Sequence, residues 1–259
     1  MKRSLLLILL NIFVIFTLTA NAQKRRVAPK PFKKPFITAA PARENSNTAV
    51  VVDERLAVLR SAPSLFAPSI QRMRTGHLVS ISGSKDADGV TFYRVSAASN
   101  NSGWVQSDAV FGKYKRGDDE RLARLVQASG GFEQVERAGV FLDLYNESPL
   151  RPAILLLLGD LMEDAALKMS SDATKKLDRR EMAASGAPLH SFYLNYVSLD
   201  RYRKIGATFV FNPTAKLFHY DGESWREIVA KFPKSSEAAE ARKRLDALKA
   251  KMETTKIEK

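Results

Sequence analysis

The 259-residue chain contains no cysteine, which excludes disulfide bonds, thiolate metal sites and a cysteine nucleophile. Its three histidines, His77, His190 and His219, lie far apart in the sequence. No Gly-x-Ser-x-Gly elbow, His-Glu-x-x-His helix or glycine-rich phosphate loop occurs. We therefore predict no catalytic residue, no metal and no cofactor. A chain without disulfides depends on burial for stability, and an apolar fraction of 45% permits a packed core.

What the chain does have begins at its N-terminus, where the first 22 residues are typical of a secretory signal peptide. Lys2 and Arg3 precede an apolar run from Leu5 to Leu18, which ends in the small-x-small pattern Ala20-Asn21-Ala22. We predict cleavage after Ala22 and a periplasmic or other extracytoplasmic location. Without a cysteine, lipid acylation at the cleavage site is excluded. Membrane attachment is expected only if this segment stays uncut and acts as an anchor.

The net charge of +13 is concentrated near the N-terminus. Residues 23–49 hold seven basic residues against one acidic residue, whereas residues 117–259 hold 23 basic against 22 acidic. This distribution is a basic tail and not a basic face on a fold, so we expect no nucleic-acid partner. The proline-containing stretch 23–48 is predicted to be a disordered linker. It serves either as a spacer or as an electrostatic contact with an anionic surface.

Residues 49–115 have the pattern of a small all-β domain. Five or six short strands are separated by turn signals such as Asp86-Ala87-Asp88-Gly89 and Asn100-Asn101-Ser102-Gly103. Alternation along Thr91–Ala97 places Tyr93 and Val95 on one face and Phe92 and Arg94 on the other. We expect Tyr93 and Val95 to face the core.

Four pieces of this segment, in order, resemble the bacterial Src-homology-3-like (SH3b-type) domain at about residues 50–112. They are Leu59-Arg60-Ser61-Ala62-Pro63, Met73-Arg74-Thr75-Gly76, Phe92-Tyr93-Arg94-Val95 and Gly103-Trp104-Val105. The resemblance implies a small barrel that binds wall peptide or a partner protein. Phe92 stands where the family usually has tryptophan, so the ligand preference is not carried over. Phe92, Arg94 and Trp104 are the predicted groove residues, with a place in the core as the favoured alternative for Trp104, because large aromatic side chains mainly stabilise small barrels.

Residues 117–252 have helical patterns and are predicted to form an all-α domain, followed by a disordered tail at 253–259. The segment Phe232-Pro233-Lys234-Ser235, with Ala238, Ala241 and Leu245, resembles a degenerate tetratricopeptide-type junction. Such a region implies a docking surface for partners without chemistry of its own. An irregular helical bundle remains the alternative. We assign no structure to the stretch around Phe209–Pro213.

The sequence thus predicts a multidomain chain, an SH3-like barrel followed by an all-α tetratricopeptide-like or bundle domain. The preferred function is a non-enzymatic envelope adaptor or scaffold that binds peptidoglycan or partner proteins. The alternative is an accessory subunit of a cell-wall hydrolase, or a degenerate one. Glu163, Asp164 and His190 are the candidate groups for that alternative.

Overall fold

The computed structural model describes residues 47–97, 101–176, 201–203 and 205–253. The predicted signal peptide, most of the basic linker, His190 and nearly all of the C-terminal tail lie outside the described residues. None of the described helices is long and apolar enough to cross a membrane.

The first described region is a seven-stranded antiparallel sheet with the order β3-β2-β6-β5-β4-β1-β7. The strands are β1 (Thr48–Val51), β2 (Val58–Arg60), β3 (Ser69–Arg72), β4 (Leu78–Ala87), β5 (Val90–Ala97), β6 (Ser102–Gln106) and β7 (Val110–Gly112). A short 3-10 helix, Ser107–Ala109, lies between β6 and β7. The prediction of a β region is therefore confirmed. The strand order leaves β3 and β7 at opposite edges, so the described strands do not form a closed ring.

The β4–β5 hairpin shows how local sequence fixes the local structure. Asp88 and Gly89 both have positive φ, at 52° and 76°, as a two-residue type I′ turn requires. The turn predicted at Asp86–Gly89 is therefore confirmed, but it is shorter than the four residues suggest. Tyr93 and Val95 are buried on the inner face of the sheet, as the alternation predicts.

The second region consists of five described helices and one hairpin. The helices are α1 (Asp118–Gln127), α2 (Gly131–Leu144), α3 (Arg151–Lys176), α4 (Glu223–Lys231) and α5 (Glu237–Glu253). The hairpin pairs β8 (Phe209–Asn212) with β9 (Leu217–Tyr220) and packs against α3. The prediction of helices after the sheet is confirmed, but the hairpin means that this region is not all-α. It also provides the structure of the stretch that the sequence left unassigned.

Strands β1 and β7 form a wall between two hydrophobic cores. Val50 and Phe111 are register partners and pack with the helices. Their neighbours Val51 and Val110, also register partners, pack with the interior of the sheet. Because successive side chains of a strand point to opposite faces, these two short strands are buried on both sides. The sheet and the helices are consequently packed onto each other through β1 and β7.

Two side chains from the helical region hydrogen-bond to the backbone at this wall. Arg121 donates hydrogen bonds to the carbonyl oxygens of Ser107 and Val110, at 3.0 and 2.9 Å, and its guanidinium lies 4.1 Å from the centre of the Phe111 ring. The Tyr145 hydroxyl donates to the carbonyl oxygen of Gly112 at 3.0 Å. Gly112 itself has no room for a side chain, since a Cβ there would lie 2.3 Å from the carbonyl oxygen of Thr48.

We predict that Phe111→Ala destabilises the sheet and the helices together, because one buried ring supports both. The expected loss is about 3–5 kcal/mol in the free energy of unfolding. The two tryptophans allow a test, since Trp104 lies in β6 and Trp225 in α4. Urea unfolding would be followed by fluorescence in Trp104→Phe and Trp225→Phe backgrounds. Two curves that shift by different amounts would show that the regions unfold independently.

Candidate functional site

Two of the three predicted groove residues meet on the outer face of the sheet. Arg94 in β5 lies directly opposite Trp104 in β6, and Trp104 lies opposite Arg60 in β2. Arg94 is exposed, whereas Trp104 and Arg60 are half-buried. The third predicted residue, Phe92, is fully buried. The structure thus brings Arg94 and Trp104 together, adds Arg60, and gives Phe92 no exposed surface.

A second row on this face consists entirely of hydroxyl side chains. Thr48 pairs with Ser80, Ser80 with Ser96, and Ser96 with Ser102, which joins β1, β4, β5 and β6. Neighbouring strands are about 4.8 Å apart, so the row is about 14 Å long. The three serines are exposed, and the hydroxyl oxygens of Ser96 and Ser102 lie 3.1 Å apart. Sequence reasoning missed this row, because the four residues become neighbours only through strand register.

The two rows together form a shallow shelf. Gly83 in β4 lies opposite Arg94, and a Cβ built there would have nothing within 4 Å. Open space therefore lies beside the Arg94 side chain. The half-buried indole of Trp104 is the large aromatic side chain of the shelf, and the side chains of the hydroxyl row are small.

The arginines of this shelf are not paired with any carboxylate of the described residues. Within the described ranges, neither Arg60 nor Arg94 forms an ion pair. The Arg60 guanidinium donates instead to the carbonyl oxygen of Ala67 at 2.8 Å, and its Nε is buried without an acceptor. The shelf therefore has positive charge available for an anionic group.

An exposed aromatic ring lies on a loop that is hydrogen-bonded to the shelf residue Arg60. Phe66 is 89% exposed, at the loop between β2 and β3. The loop is braced, because the Asp88 carboxylate accepts hydrogen bonds from the Ser64 hydroxyl at 2.7 Å and from the Leu65 amide at 2.8 Å. These bonds lower the pKa of Asp88. Arg60 fixes the other side of Phe66 through its bond to Ala67.

A separate ionic cluster surrounds Glu163, one of the residues predicted for the hydrolase alternative. Its Oε1 lies 2.8 Å from both His219 Nδ1 and Lys251 Nζ, and its Oε2 accepts the Tyr220 amide at 2.8 Å. Burial alone would raise the pKa of Glu163, but the three donors outweigh it and lower the pKa to about 2. Asp164 is exposed on α3 and takes no part in this cluster.

The cluster links three elements. Glu163 belongs to α3, His219 to β9 and Lys251 to α5. Across the described part of the chain, no three histidine, aspartate or glutamate side chains lie close enough together to hold a metal ion. The three donors hold Glu163 ionised and in a fixed position, so the cluster is a structural ion pair.

No family model matches the chain, and no match was found among curated proteins or solved structures.

We predict that Glu163→Gln removes a part of the acid sensitivity of folding. A carboxylate with a lowered pKa contributes stability above its unfolded value of 4.5, and this contribution is lost as the pH falls towards 2. At pH 7 the variant should be less stable by about 2 kcal/mol, which is below the full shift because Lys251 is partly exposed.

The measurement is urea unfolding of both proteins between pH 7 and pH 2.5, where the difference should shrink as the pH falls. Asp164→Asn is the matched control and should follow the wild type throughout. A constant difference between wild type and Glu163→Gln at every pH would contradict the prediction.

Proposed function

We propose that the chain is an exported, non-enzymatic envelope adaptor or scaffold that binds peptidoglycan or a partner protein. The observation that supports this most is the shelf of Arg60, Trp104 and Arg94 beside a row of exposed hydroxyls. Ligand sites commonly combine an aromatic surface with a few placed polar groups, and this face provides both. The exposed Phe66 offers an apolar contact on a loop that is hydrogen-bonded to Arg60.

The proposal includes an SH3-like domain at about residues 49–115. Pairing of the first and last strands, β1 and β7, supports it, because a small barrel brings its two chain ends together in this way. The inward-facing Tyr93 and Val95 agree with the same assignment.

A tetratricopeptide-like helical region is the second part of the proposal. Helices α4 and α5 pack together after the Pro233 turn. Ala238 and Ala241, the small residues of the junction motif, are 1% and 0% exposed. Small side chains at these positions allow close approach of helices, which supports a stacked helical surface for a second partner. Two linked sites of modest affinity would then act together and raise avidity.

The hydrolase alternative receives no support from the Glu163 cluster. Glu163 is held ionised by three donors, so at neutral pH it has no proton to give to a leaving group. Its partner His219 is 3% exposed, which leaves little access for a substrate. We therefore assign no catalytic step to this cluster.

The experiment is co-sedimentation of the mature chain, residues 23–259, with purified peptidoglycan. We expect the chain to sediment with the polymer, and Trp104→Ala to lower the bound fraction several-fold, since aromatic anchors dominate such contacts. Tyr114→Ala is the control, because its ring packs on the inward-facing Tyr93 and so lies away from the shelf. Equal binding by Trp104→Ala would contradict the assigned face.

Zymography on the same polymer tests the non-enzymatic part. The expected result is no clearing band. A band that disappears in Glu163→Gln would overturn the proposal in favour of a hydrolase.

A further inference from the structure

We infer that the shelf on the outer face of the sheet recognises carboxylate groups of a short, extended wall peptide. The inference rests on the proposed function and names the chemistry that the site would read. It is carried by Arg94, Arg60 and Gly83, together with the hydroxyl row from Thr48 to Ser102.

The charge of the shelf favours a carboxylate. Arginine presents its donors in a planar fork that matches a carboxylate and can bind it through two parallel hydrogen bonds. Arg94 is exposed and forms no ion pair in the described ranges, so its fork is available to a ligand. Arg60 lies two strands away along the same row, on the far side of Trp104. The two arginines therefore lie on either side of Trp104, and their backbones are about 10 Å apart.

The shape of the shelf favours a short chain and not a protein surface. Stable protein interfaces bury about 800 Å² on each partner and have an apolar centre. The hydroxyl row spans about 14 Å across β1, β4, β5 and β6, and Arg60 on β2 extends the shelf by one strand to about 19 Å. Trp104 is the aromatic side chain of the shelf and is half-buried, and its other described residues are two arginines, hydroxyl side chains and Gly83, so the shelf has no broad apolar centre. Hydroxyls both donate and accept hydrogen bonds, so they suit the amide groups of a peptide lying across the strands.

The test uses purified peptidoglycan in three forms: untreated, with its carboxyl groups converted to amides by carbodiimide and ammonia, and with phosphate polymers removed by hydrofluoric acid. Binding of the mature chain is measured for each form by sedimentation. We expect amidation to weaken binding about tenfold, and removal of phosphate polymers to leave it unchanged.

Substitutions at two positions, Arg94 and Gly83, locate the contact independently. Arg94→Gln removes the fork and should weaken binding to untreated peptidoglycan about tenfold, while Arg94→Lys should bind with intermediate affinity because it keeps only the charge. Gly83→Leu keeps every arginine but fills the open space beside Arg94, and should weaken binding to a similar extent. Arg242→Gln changes the net charge equally at an exposed position of α5 and should bind like the wild type.

The outcomes separate this inference from the function on which it rests. If untreated peptidoglycan does not bind, both the wall-binding function and the inference are overturned. If it binds but amidation has no effect, or if Arg94→Gln and Gly83→Leu bind normally, only the carboxylate inference is overturned. Loss of binding after hydrofluoric acid treatment overturns it in favour of a phosphate polymer.

Discussion

The fold depends on a strand pair that is buried on both faces. In most antiparallel sheets one face packs on a core and the other meets water, which allows the sheet to be a separate body. Here β1 and β7 give one face to the sheet interior and the other to the helices. Arg121 and Tyr145 then satisfy carbonyl oxygens along β7, so the polar backbone of this wall is bonded from the helical side. The core of the sheet and the core of the helices that follow Gly112 therefore share the wall formed by β1 and β7.

Arginine has two different roles in this molecule, and its partners distinguish them. Arg137 is 5% exposed and is surrounded by Glu133 at 2.6 Å, Asp53 at 3.5 Å and the Ser129 hydroxyl. Such a residue has a structural role, because burying a guanidinium without partners would destabilise the fold. Arg94 has the opposite surroundings: it is exposed, next to an indole and distant from any ion-pair partner in the described ranges. Arg137 is therefore engaged inside the fold, whereas Arg94 is accessible to a ligand.

Sequence patterns predicted those features that depend on near neighbours. A period of two placed Tyr93 and Val95 inside, and the Asp-Gly pair gave the β4–β5 turn. The same period placed Phe92 on the outer face, yet that side chain is buried, because alternation determines the face and not its exposure. The hydroxyl row required the register of four strands, which composition and spacing do not contain. The sequence therefore predicted Arg94 and Trp104 of the candidate site but not its hydroxyl row.

The helical region shows the same limit. The last turns of α3, from Ser170 to Lys176, are polar, and yet the helix continues to Lys176. A tertiary contact accounts for part of this: the Ser170 hydroxyl is buried, donates to the carbonyl oxygen of Ala166 and accepts the Phe218 amide of β9 at 2.8 Å. Hairpin and helix support each other, and neither shows a strong local signal.

The position of β1 at the start of the described fold has a mechanical consequence. A pull on the chain from its N-terminal side reaches Thr48–Val51 before any other described helix or strand. This strand is hydrogen-bonded to β4 on one side and to β7 on the other. Drawing it out would break two ladders and open two cores at once. Tension on the N-terminal side would therefore act first on a strand that is held on both sides and that begins the hydroxyl row of the outer face at Thr48.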